Sequence, residues 1–166
     1  MNRIEIEQRI VDFLSEIGIG VEYTTLPDET FLPGVYVKEG RLCIDSAKLR
    51  YPGDLLHEAG HLAVVPSGLR DTFTGEVNMA NVAMEPIEVQ AMAWSYAAAL
   101  HLGLDPSVVF HADGYHGQSR SLLLNFQLGV YLGVQALEDS GLTLAPNTAS
   151  AECKPGFPTM IKWLCD

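Results

Sequence analysis

Apolar residues recur along this chain at helical spacing in four places. Ile4, Ile6, Ile10, Val11, Phe13, Leu14 and Ile17 form the first run, ended by Gly18 and Gly20, and predict an amphipathic helix. Pro52 to Val65 predicts a second helix, stopped by Pro66. Pro86 to Leu102 predicts a third. Its alanines favour helix, Pro86 suits the first turn, and Gly103 suits the stop. Ser119 to Ser140 predicts one long fourth helix, closed by Gly141. Period-two signals are fewer. Val21–Thr25 is β-prone. Val35–Lys38 and Arg41–Ile44 flank Glu39-Gly40, a hairpin signal. Residues 67–83 and 111–118 predict loops. Asp105-Pro106 starts a short turn, and 142–158 is broken by proline and glycine. The fold class expected is helix-dominated α+β, with a small antiparallel sheet from the Val21–Ile44 region.

The 166 residues fit a single domain, 1–166, and a content of 48% hydrophobic and 19% charged residues is that of a globular chain. The net charge of −11, with ten Lys and Arg, excludes a phosphate-tracking surface and electrostatic docking on an anionic membrane. No nucleic-acid or membrane partner is expected. Three loosely spaced cysteines, Cys43, Cys153 and Cys165, make no disulfide framework. The charged N-terminus lacks the apolar core of a signal peptide. These features point to a cytoplasmic protein with reduced thiols.

The second predicted helix contains His57-Glu58-Ala59-Gly60-His61, an HExxH pattern. A chance match in a chain of this length is roughly a one-in-two-hundred event, so the pattern carries weight. Histidines at i and i+4 share one helical face, and their ring nitrogens can converge on one metal. Glu58 points about 100° away around the helix, where it can reach a water in an open coordination position. Gly60 costs about 1 kcal/mol against alanine in mid-helix, which implies a close neighbour. A catalytic zinc needs a third ligand. A metzincin would place a histidine at position 67, which is Ser67. Two glutamates at the head of the third helix remain, Glu85 and Glu88. Glu85 precedes a proline and is pushed from helical geometry. Glu88 stands on the regular helix, where the capping box would also favour it.

The run Leu55-Leu56-His57-Glu58-Ala59-Gly60-His61-Leu62, followed by Glu88-Val89-Gln90-Ala91-Met92-Ala93-Trp94, resembles the ImmA/IrrE-type metallopeptidase pattern over about residues 50–105. The resemblance implies a zincin-like core and one zinc ion per chain. It implies His57, His61 and Glu88 as ligands, with Glu58 as general base. The activity implied is a peptidase acting on a peptide or protein substrate, received as an added strand on a sheet edge beside the HExxH helix. The thermolysin-type second motif is not matched, because position 92 is Met. A non-catalytic zinc module on a protease-like fold would use the same ligands, and Fe, Co, Ni or Mn would accept them too.

The remaining histidines and their neighbours have weaker claims. His101 lies about 20 Å along the third helix from Glu88, too far to share a metal, and suits a helix-end or core role. His116, Tyr115 or His111 could donate to the oxyanion of a tetrahedral intermediate, if their loop folds over the site. Asp113 and Asp54 could orient a ligand histidine from behind. Trp94, Tyr96, Phe126, Tyr131 and Trp163 fit a core.

Overall fold

The computed structural model describes residues 1–74 and 85–166, with the side chain of Glu85 outside the described set. Helix α1 (Arg3–Glu16) opens on a capping box, in which Glu5 N–H donates to Asn2 and Asn2 N–H donates to the Glu5 carboxylate, both at 3.0 Å. It buries Ile10, Val11, Phe13 and Leu14, while Ile4 of the predicted stripe faces solvent. Three short strands follow: β1 (Gly20–Tyr23), β2 (Val35–Lys38) and β3 (Arg41–Ile44). The β2–β3 hairpin forms as the pattern predicts. Its two-residue turn places Glu39 and Gly40 in the left-handed region, as a primed turn requires.

The sheet is mixed rather than antiparallel. Its order is β1-β3-β2, and β1 runs parallel to β3 with Val21 opposite Leu42. The hairpin's second strand enters between the other two because residues 24–34 carry the chain out to the far side before β2 begins. That crossover is fixed at Asp45. Its carboxylate accepts from Leu26 N–H at 3.1 Å, and its own N–H donates to Gly34 O at 2.9 Å. Val35, Val37, Leu42 and Ile44 are buried.

Helix α2 (Gly53–Val64) is the centre of the molecule. Leu55, Leu56, Ala59, Leu62 and Ala63 are fully buried. It packs on α1, on β2 and β3, and most extensively on α4 (Glu85–His101), whose segment Ala91–Ala99 is buried throughout. Between them, Ser67–Arg70 forms one turn of helix, α3, where the pattern predicts loop. Arg70 explains the turn's position. Its guanidinium donates to Leu62 O at 2.9 Å and to Cys165 O at 2.7 Å, satisfying a carbonyl at the end of α2 and tying down the C-terminus. The predicted loop's remainder, 75–83, falls outside the described residues.

The predicted long fourth helix is two helices, α5 (Ser119–Gln127) and α6 (Val134–Asp139). Gly129 and Gly133 both adopt left-handed backbone and break it. At Gly133 the backbone approaches α4 so closely that a Cβ would lie 2.2 Å from Val89 O. Pro146–Glu152 adds a short α7 within the region read as irregular, and Thr143 pairs with Met160 as an isolated bridge. Trp94, Tyr96 and Phe126 are core residues, as expected, with Tyr131 and Trp163 packed against them. His101 sits at the end of α4 against the rings of Phe13 and Trp163. Among the described residues, no helix is long and apolar enough to cross a membrane.

Candidate metal centre

Gly60 sets the geometry of the site. A Cβ there would lie 2.9 Å from Ala91 O and 3.2 Å from Ala91 Cβ, so α2 and α4 touch backbone to backbone. Ser95 sits in this contact, its hydroxyl donating to Ala91 O of its own helix with Leu56 O of α2 3.2 Å away. Glu88 lies one turn before Ala91, and His57 and His61 flank Gly60. The close approach therefore brings the carboxylate over both imidazoles.

Three side chains converge. His57 Nε2 and His61 Nε2 are 3.1 Å apart, with their rings nearly perpendicular. Glu88 Oε1 lies 3.4 Å from His57 Nε2, and its Oε2 lies 3.2 Å from His61 Nε2. The side chains of His57 and His61 are 13% and 4% exposed, and that of Glu88 29%, so the cluster opens to solvent on the carboxylate side. A tetrahedral ion with bonds of about 2.05 Å holds its ligand atoms about 3.3 Å apart, so the three observed spacings fit such an ion. This is the group of metal-ligating side chains found among the described residues.

The charge state fits as well. Burial, and then the neighbouring His61, push His57 down to about 4, so its imidazole is neutral at pH 7, the form in which histidine binds a metal. Burial pushes the Glu88 carboxyl up. The bond from His61 and the fields of both imidazoles more than offset that, leaving it below its ordinary value and ionised.

The loop after α4 does fold over the site, but its residues fall differently from the expected arrangement. The Tyr115 hydroxyl lies 3.0 Å from Nδ1 of His57, the ring nitrogen that faces away from the cluster. Burial, with the charges of Glu88, Asp54 and Glu58, holds its phenol well above the usual range. Tyr115 thus stays protonated and is engaged with His57 from behind the cluster. His116 is exposed on the next residue, in a 3-10 turn (Tyr115–Gly117) where both residues have left-handed backbone, with φ of 51° and 52°. Such geometry costs about 1–2 kcal/mol for a residue with a Cβ. His111 does not face the cluster: its Nε2 bonds Asp54 Oδ1 at 2.9 Å. Asp54 is thereby committed to His111 rather than to His57 or His61. Asp113 accepts from Tyr51 Oη at 2.6 Å and pairs with Arg50 at 2.9 Å. Glu58 is half-buried on α2 beside His57.

Two residues that the sequence pattern does not single out belong to this surround. The Tyr51 ring stacks on His111 with centroids 3.8 Å apart, and Arg50 lies 5.1 Å over the Tyr51 ring. Their one local signal is position, immediately before the proline that opens α2. No family model, curated protein or solved structure matches this chain.

Proposed function

We propose that this chain is a zinc-dependent hydrolase with a zincin-like core, cleaving peptide bonds and resembling the ImmA/IrrE-type metallopeptidases. The observation that carries the reading is the spacing of 3.1, 3.2 and 3.4 Å among His57, His61 and Glu88, next to Glu58 on the same helix. His57, His61 and Glu88 would hold the ion. When bound, zinc supplies Lewis acidity, which lowers the pKa of a water toward about 7 and polarises a carbonyl.

The chain's own residues account for the rest. With Nε2 of His57 turned to the cluster, its Nδ1–H donates to Tyr115 Oη, which fixes tautomer and ring plane. Glu58 takes a proton from the attacking water. It passes that proton to the amide nitrogen as the C–N bond breaks, so proton and leaving group balance. Of the donors expected for the oxyanion, Tyr115 is committed to His57, and His116 lies on the exposed side of the turn. The edge strand β2, which packs on α2, is the place for an extended peptide to add.

A structural zinc is the second reading. The near-complete burial of both imidazoles between core helices favours it, since an ion there would pin α2 to α4. Metal content and peptide hydrolysis separate the two. Elemental analysis of untagged protein should find a single zinc ion per chain in the wild type and in Glu58→Gln, and none in Glu88→Ala. Hydrolysis of a peptide library by the wild type, lost in Glu58→Gln with zinc retained, is the result expected of an enzyme. Zinc retained without hydrolysis in either protein leaves the structural reading. No metal in the wild type, after zinc is offered at neutral pH, overturns both.

A further inference from the structure

We propose that His111 is a positioning residue for the metal site, clamping residues 110–118 so that the Tyr115 hydroxyl stays on Nδ1 of His57. The inference rests on the metal-binding reading above and concerns how that site is held in shape. Asp54 and His57 lie one turn apart on the same face of α2. The segment across from them presents His111 to Asp54 at 2.9 Å and Tyr115 to His57 at 3.0 Å. Two bonds, three residues apart on the helix and four apart on the segment, fix it in register like a strap.

Each end of the clamp is supported. The His111 ring is stacked on Tyr51, nearly parallel at 9°. Tyr51 is tied back to the strap through Asp113, which Arg50 also holds. Gly114 lies so close to His111 that a Cβ would sit 3.2 Å from its Cε1, so the chain can turn tightly around the ring. Beyond that turn, Tyr115 and His116 take left-handed backbone in succession. Residues with a Cβ hold this conformation only where their surroundings impose it. Released from His111, the strap would relax and carry the Tyr115 hydroxyl off the imidazole.

The chemistry of the pair argues the same way. The side chains of Asp54 and His111 are 6% and 11% exposed, and Asp54 Oδ2 and His111 Nδ1 have no partner among the described residues. A half-satisfied polar pair at this depth is a poor source of stability, and apolar side chains of the same shape would serve better. What the pair supplies is direction: its bond permits one placement of the strap. That placement is worth having where a ligand's ring plane depends on it.

The test is a double-mutant cycle on zinc affinity, measured by chelator competition on the full chain. Loss of an outer partner of a ligand histidine typically weakens binding about 10–100-fold, and Tyr115→Phe should fall in that range. His111→Phe should weaken binding about 10-fold with Tyr115 present, and less than about 2-fold when Tyr115→Phe is already in place. A residue that only stabilises the fold would lower both backgrounds equally. Equal loss, or no loss, overturns the clamp. If His111→Phe fails to fold, Asp54→Asn takes its place in the same cycle. A second readout needs no metal. Long-range proton–nitrogen NMR of the metal-free protein should show the His57 Nδ1 signal shifting in both Tyr115→Phe and His111→Phe. A wild type that binds no zinc would remove the proposed function and leave this readout standing. A His57 signal that moves in Tyr115→Phe but stays in place in His111→Phe sinks the clamp by itself.

Discussion

The α2–α4 pair and the α5–α6 segment contain the same residue type in the same predicted setting, a glycine inside a helical pattern, with opposite outcomes. Gly60 stays helical, whereas Gly129 and Gly133 turn left-handed between the end of α5 and the start of α6. Intrinsic propensity is the same at all three. What differs is the neighbourhood. Gly60 has a buried face on either side and Ala91 pressed against its backbone, so the packing of two core helices outweighs the local cost. Around Gly129 the apolar side chains are not held. Leu124, Leu128 and Val130 are 51%, 70% and 52% exposed, and no atom lies within 4 Å of where a Gly129 Cβ would be. Gly60 thus keeps helical geometry under a close approach, Gly129 breaks the helix where the flanking side chains are exposed, and Gly133 combines a left-handed backbone with its own close approach to Val89 of α4.

Acid should set the two regions furthest apart. His57 has a folded-state pKa of about 4 against 6.5 when unfolded, so between those values the unfolded chain binds the extra proton. Stability then falls as pH drops through that window, and His57 contributes no slope well above its unfolded value. The full drop is about 3 kcal/mol in metal-free protein. Chelator-treated protein followed by urea melts at several pH values should show it, and His57→Gln should flatten it. Among the residues buried in α5 and α6, none titrates there. At about pH 5, inside that window, amide protection relative to the intrinsic exchange rate should therefore fall more in α2 and α4 than in α5.

The next effect is steric. Gly60→Val puts two methyls where a single Cβ already meets Ala91 O at 2.9 Å. Overpacking of this kind costs about 2 kcal/mol, and it would also push Glu88 away from the imidazoles. Loss of stability together with loss of zinc affinity is the expected outcome. Unchanged zinc affinity would mean that the contact does not set the site.

These contrasts show what was legible in the chain. The pairing of His57 with His61 was, because helical periodicity puts both on one face, and Gly60 betrayed the close approach of a neighbouring element. The hairpin was legible from its turn residues. The direction of β1 was not, since a four-residue strand carries no sign of its partner. The glutamate that joins the two histidines could be narrowed to Glu85 or Glu88, because both head one helix, and Glu88 is the one whose carboxylate meets the imidazoles. The clamp was out of reach. Asp54 and His111 are separated by 57 residues, as Tyr115 and His57 are by 58, and no periodic pattern links residues so far apart. Tyr115 was expected as an oxyanion donor, and its hydroxyl lies at Nδ1 of His57, the ring nitrogen turned away from the cluster.

The smallest effect isolates the backbone term. At Gly129 an added Cβ meets no atom, so Gly129→Ala carries no steric cost and the change is conformational alone. Alanine at a φ of 80° pays about 1 kcal/mol relative to glycine. Zinc affinity should not change, because α5 contributes no ligand. Urea melts give the first quantity and chelator competition the second. If Gly129→Ala instead stabilises the protein, helix has propagated from α5 through 128–133, and the break is owed to Gly133 and its contact with Val89 rather than to both glycines. The same pair of measurements then ranks the two. Gly133→Ala meets a carbonyl oxygen at 2.2 Å as well as a left-handed backbone, so its cost must exceed that of Gly129→Ala if tertiary contact, and not propensity, decides where this helix ends.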